Sequence, residues 1–188
     1  MRVTLPDSQE SISNEDKATT SWFTFFQDVW KAVRGDLSIS IGGNISVQTT
    51  PATNSGSGET DLMSYSVPAN LTTTGDELYL KAWGVFAANA NNKTISLKFG
   101  SQTILTTGAI AANSGSWQIE ATILRTGAAT QEIIASLISG NSSVTELTTR
   151  TAGTQTLTTS NILLITGQGT SSSDITQNAM IVKLTPNN

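Results

Sequence analysis

Glu77-Leu78-Tyr79-Leu80-Lys81-Ala82-Trp83-Gly84-Val85-Phe86-Ala87 is a run whose side chains fall on two distinct faces when the chain is extended. Leu78, Leu80, Ala82, Gly84 and Phe86 share one face; Tyr79, Lys81, Trp83 and Val85 share the other. Both faces carry large apolar groups, more than a solvated outer face needs. Such a strand is central in its sheet, or its second face meets a covering loop or another subunit. Met180-Ile181-Val182 repeats the pattern near the C-terminus. Working outwards, candidate strands fall at 61–67, 77–87, 94–98, 102–106, 117–125, 131–139, 144–150, 154–158, 161–166 and 177–184. Turn signals such as Asn91-Asn92, Ser114-Gly115, Thr126-Gly127, Gly140-Asn141 and Gly167-Gln168-Gly169 separate them. Short strands at this spacing, with no helices alternating between them, predict a mostly β protein, an antiparallel sandwich or jelly roll over 61–188.

Upstream of that domain the pattern changes. Leu37-Ser38-Ile39-Ser40-Ile41 alternates, and Asn44-Ile45-Ser46-Val47 suits a second short strand. Residues 48–60 carry the Pro, Gly, Ser and Asn of a loop, so 37–60 reads as short strands and linker. Five of the eleven aromatic residues lie still earlier, between 22 and 30. On a helical wheel Trp22, Phe23, Phe25, Phe26, Val29, Trp30 and Val33 fill one arc of about 160°, opposite Thr24, Gln27, Asp28, Lys31 and Arg34. Thr20 or Ser21 suits the N-cap and Gly35 the left-handed C-terminal position. A short amphipathic helix over 21–34 is expected, preceded by an extended polar arm, so that 1–36 forms one N-terminal segment. A membrane-surface helix would want more Lys and Arg than this polar face offers. The helix therefore closes its own domain or packs between chains, as an anchor or an oligomerisation element.

Composition narrows the chemistry. Charged residues are 13% of the 188, against about 25% in an average domain. Thirty Thr, 23 Ser and 13 Asn take their place, a composition that suits solvated strand faces. With no cysteine, disulfides and thiolate metal sites are excluded; with no histidine, the usual general base and the commonest transition-metal ligand are missing. The net charge of −4 without a basic run argues against nucleic acid, and no apolar stretch is long enough to insert in a membrane. The start, Met1 to Asp7, has no signal-peptide core, so synthesis and folding in a cytoplasm are expected.

Catalysis would then rest on carboxylates. Glu15-Asp16, Glu59 with Asp61, and Asp76-Glu77 are close pairs, each in or beside a turn, where acids commonly serve the backbone. Gly167-Gln168-Gly169-Thr170 lacks the Lys-Ser/Thr ending and the helix of a phosphate loop. Asp61 and Asp174 lack the spacing of a calcium loop. Trp83 and Trp117 could stack on sugar rings, but in a chain with so few aromatics the core is their expected place. No enzyme, cofactor or metal is expected.

Several segments resemble known proteins. Ile12 to Asp16 followed by Thr19-Thr20-Ser21-Trp22-Phe23-Thr24-Phe25-Phe26 resembles the N-terminus of small structural proteins of tailed bacteriophages. Leu80 to Gly100, Ala121 to Gly127 and Ile165 to Lys183 resemble phage fibre knobs. The resemblance implies a virion surface protein with a jelly-roll knob of the tumour-necrosis-factor-like kind, assembled as a homotrimer in the host cytoplasm. It implies an anchor to phage capsid or tail proteins through residues 1–36, carried by the seven apolar positions from Trp22 to Val33. The expected role is capsid decoration, cement or head fibre; the alternative is a tail-fibre adhesin for a host-surface glycan. In the second case the contacts would come from the loops 88–93, 112–116 and 168–176, with Asn91, Asn92, Asn113, Ser172 and Asp174 as candidate receptor residues.

Overall fold

Alternating apolar and polar side chains, punctuated by Gly, Asn and Thr turns, fold this chain into two antiparallel sheets packed face to face. The structure is a computed structural model and describes residues 42–140 and 144–187. The expected helix, arm and the strand at 37–41 lie outside these residues. The described residues form eleven strands: β1 (Gly43–Gln48), β2 (Ala52–Ser55), β3 (Thr60–Val67), β4 (Glu77–Phe86), β5 (Thr94–Phe99), β6 (Gln102–Thr106), β7 (Ser116–Arg125), β8 (Gln131–Gly140), β9 (Val144–Gly153), β10 (Asn161–Gln168) and β11 (Ser172–Thr185). There is no helix among the described residues.

The larger sheet runs β1-β11-β4-β7-β8-β9, with β2 also on β11, and the smaller runs β3-β10-β5-β6. Counting β1 and β2 as two halves of a first strand and setting aside the hairpin β8–β9 leaves eight strands. They are ordered 1-8-3-6 in one sheet and 2-7-4-5 in the other. This is a jelly roll, with two extra strands widening one sheet. The two-faced run from Glu77 to Phe86 is β4, flanked by β11 and β7 in the middle of the larger sheet.

The core lies between the sheets. Leu78, Leu80 and Ala82 of β4 join Trp117, Ile119, Ala121 and Ile123 of β7 and Met180, Val182 and Leu184 of β11. They meet Ile95, Leu97, Phe99, Leu163 and Ile165 from the smaller sheet, all buried. Gly84 stands directly opposite Trp117 in the ladder. A Cβ there would lie 2.7 Å from the Trp117 ring and 1.9 Å from the Thr176 carbonyl, so the indole needs the missing side chain in order to lie across β4.

Two local expectations are corrected. Residues 154–158 form no strand: Leu157 is tucked into the core and its N–H donates to the Ala128 carbonyl at 3.1 Å. The alternation of Thr with Gln and Leu imitated a strand without a partner. Residues 48–60, expected to be loop, contain β2, which pairs with β11 through Ala52↔Gln177 and Ser55↔Ser172. Its Ala and Asn have little strand preference of their own, so the neighbour fixes their conformation.

Candidate functional site

Two features of the knob bear on function: a stapled polar end and the outer face of the larger sheet. The loops 88–93, 112–116 and 168–176 gather at one end of the sandwich. Lys93, fully buried, reaches up through that end: its Nζ donates to the Asn89 Oδ1 at 2.8 Å and to the carbonyls of Asn89 (3.1 Å), Asn91 (3.0 Å) and Ala112 (2.7 Å). Burial pushes its pKa down, with the Asp174 charge acting the other way.

Asp174, also buried, is held by nitrogen donors. Its Oδ1 accepts from the side-chain amides of Asn89 (2.8 Å) and Asn91 (3.1 Å), and its Oδ2 from the backbone N–H of Thr170 (2.9 Å) and Ser171 (2.7 Å). Burial alone would raise this pKa. The Ser171 amide, the Asn89 and Asn91 side chains and the Thr170 amide outweigh it and hold the carboxyl at about 2. Asn54 of β2 ties in from behind, donating to the Ser171 carbonyl at 2.8 Å and accepting from the Ile175 N–H at 2.9 Å. The carboxylate already accepts a full set of N–H bonds, an arrangement that stabilises a loop and does not suit a cation.

The candidate receptor residues therefore divide. Asn91 and Asp174 are turned into the staple. Asn92 is exposed, with its carbonyl 3.5 Å from the Thr170 hydroxyl, and Asn113 and Ser172 are exposed at the same end. Sequence reasoning placed these loops together but missed Asn54, Asn89 and Lys93. A lysine at the head of a strand gives no sign that it will be buried. The seven aromatic and aliphatic anchor positions from Trp22 to Val33 lie outside the described residues.

The carboxylates have structural partners. Glu59 pairs with Lys98 at 2.7 Å and accepts from the Thr166 hydroxyl at 2.6 Å, which together hold its pKa below the usual range. Asp76 caps its own turn, accepting from the Thr73 N–H at 2.7 Å and the Asn187 N–H at 2.8 Å. Asp61 is exposed on β3.

The outer face of the larger sheet is different. Val47, Val85, Leu124, Ile134 and Ile138, five of the six exposed large hydrophobic residues among those described, all project from it. Lys81 and Glu120, paired at 3.0 Å across β4 and β7, sit midway. The Gln118 side-chain amide also donates to Glu120 at 3.0 Å. The Lys81 ammonium holds the Glu120 carboxyl below its usual range, with Tyr79 adding to the effect. On the side of this pair nearer the stapled end, Lys81, Trp83, Gly84, Ser116, Gln118 and Ile138 line much of a groove of about 600 Å³. Trp117 is a core residue, 1% exposed; Trp83 is half-buried on the outer face.

No family model matches the chain, and no curated protein matches it. Among solved structures the chain is similar to the CBM2 module of the Lactobacillus casei BL23 phage J-1 evolved Dit, at 9% identity, over 64% of this chain and 67% of that one, with a TM-score of 0.29. At that score the strand order given above remains the description of the fold.

Proposed function

We propose that the protein is a non-enzymatic structural protein of a phage particle, a knob mounted on the virion through residues 1–36 that contacts a host-surface glycan. It assembles as a homotrimer. The observation that supports this reading is the outer face of the larger sheet, which carries five exposed large hydrophobics and a half-buried tryptophan while the polar loops are bonded to one another. A solitary soluble domain keeps such a patch small. Association of copies would cover the rows of Tyr79 and Leu124, the first of which includes Ile134, leaving the rows from Lys81–Glu120 onwards for a ligand. Sedimentation equilibrium on the full chain tests the assembly: three times the chain mass is expected, and a stable monomer would overturn it.

Capsid decoration is the second reading, favoured by the aromatic wealth of residues 22–30. Copy number separates the two. A small multiple of the tail symmetry is expected, whereas hundreds of copies per particle would establish decoration.

A further inference from the structure

We infer that the Trp83 groove is a binding site for a neutral pyranose unit of a polysaccharide, with Trp83 as the stacking platform and Gln118, Glu120 and Lys81 as the hydroxyl-binding edge. The inference rests on the adhesin reading and moves its contact from the loops to the sheet.

The chemistry points to a sugar by its combination of groups. A pyranose presents C–H groups on its faces and hydroxyls around its rim, so it needs an apolar plate beside planar polar groups. Trp83 on β4 supplies the plate, extended by Ile138 on β8, which is 44% exposed. Gln118 stands directly between them in the ladder, pairing with Trp83 on one side and Ile138 on the other. One row away, the Glu120 Oε1 accepts from both Lys81 and Gln118, which fixes the orientation of all three side chains before a ligand arrives. An amide, a carboxylate and an ammonium held in this way offer donors and acceptors to adjacent hydroxyls without needing to be reordered. Their charges cancel, so nothing in the groove selects an anionic polymer.

The wall of the groove carries a second argument. Ile138, Ser139 and Gly140 belong to β8, one of the two strands that the jelly roll does not require. Without the hairpin β8–β9 the outer face would end at β7 and Trp83 would lie on an open slope. The added strands turn that slope into a trough of about 600 Å³, a volume that suits a short run of sugar residues.

The test is a glycan array probed with the full-length protein, with neutral hexose and N-acetylhexosamine oligosaccharides in one arm and sialylated, sulfated and uronic-acid glycans in another. Binding in the neutral arm is expected. Trp83→Ala should weaken it about tenfold or more, and Gln118→Ala about threefold, in each case with the circular dichroism of the parent. Ile138→Lys, at an exposed position where folding is not at stake, should abolish it. Ile162→Lys, at an exposed position on the outer face of the smaller sheet, should leave the binding unchanged. Binding lost on changing Asn92 or Ser172 but kept in all three groove variants would overturn the site and leave the adhesin reading standing. Binding confined to the anionic arm would also overturn it. Absence of saccharide binding in both arms would overturn both.

Discussion

The position of a single residue on its strand decides what each tryptophan of the knob does. Trp83 and Trp117 look alike in sequence, each flanked by small or polar neighbours. One has the parity of Lys81 and faces out; the other has the parity of Ile119 and fills the core over Gly84. The shared face of Trp83 and Lys81 was legible, although the core was expected to take both tryptophans. What alternation cannot report is the reach of the indole across a glycine on the next strand, because it depends on register. Gly84→Ala puts a methyl group against backbone and ring, and the carbonyl of Thr176 cannot give way as a side chain can. A loss of about 3 kcal/mol in urea unfolding is expected, near the upper end for overpacking. Asp174 makes a different prediction. Its pKa is lower folded than unfolded, so its stabilising effect is complete above about pH 4 and disappears as the pH falls towards 2. Thermal melts between pH 5 and pH 2 should show the decline, and Asp174→Asn should start from lower stability with a shallower acid limb.

Strands were readable wherever both a period and a turn signal were present. Residues 77–86, 102–106, 131–140 and 161–168 stand within one or two positions of expectation. β2 and the false strand at 154–158 fail for opposite versions of one reason. Pairing creates a strand from Ala-Thr-Asn-Ser when β11 is alongside, and lack of pairing leaves Thr-Gln-Thr-Leu-Thr as a turn. The pairing pattern also ranks the elements. β4, β7 and β11 have neighbours on both sides, whereas β6 and β9 are sheet edges. Hydrogen exchange by mass spectrometry should find the amides of β4, β7 and β11 the slowest and those of β9 among the fastest. Edge-to-edge association through β9 is discouraged by its exposed Glu146 and Arg150, the latter paired with Glu132.

At the scale of the whole molecule, composition carried the fold class. A Thr- and Ser-rich chain with little charge made sheets with solvated faces, and the sandwich followed from strand spacing. The order of strands and the widening of one sheet were not legible, because long-range pairing leaves no local trace. The candidate site was half legible: the loops were found, but their inward bonding and the groove beside Trp83 required the fold. Changing Trp22, Phe25, Phe26 and Trp30 together to alanine should release the protein from particles while the β-dominated circular dichroism persists. Retention on the particle would remove the anchor from residues 1–36.

β1 enters the larger sheet at Gly43, paired with Leu184, and runs from there towards the end that holds the groove. A pull applied between Gly43 and Trp83 therefore acts along the strands. Under such a load the rungs joining β1 to β11 and β11 to β4 are sheared as a set and do not unzip one by one. Tension applied across the sheet at β9 would instead peel the edge strand rung by rung. The sandwich has a strong axis along its strands and a weak one across them.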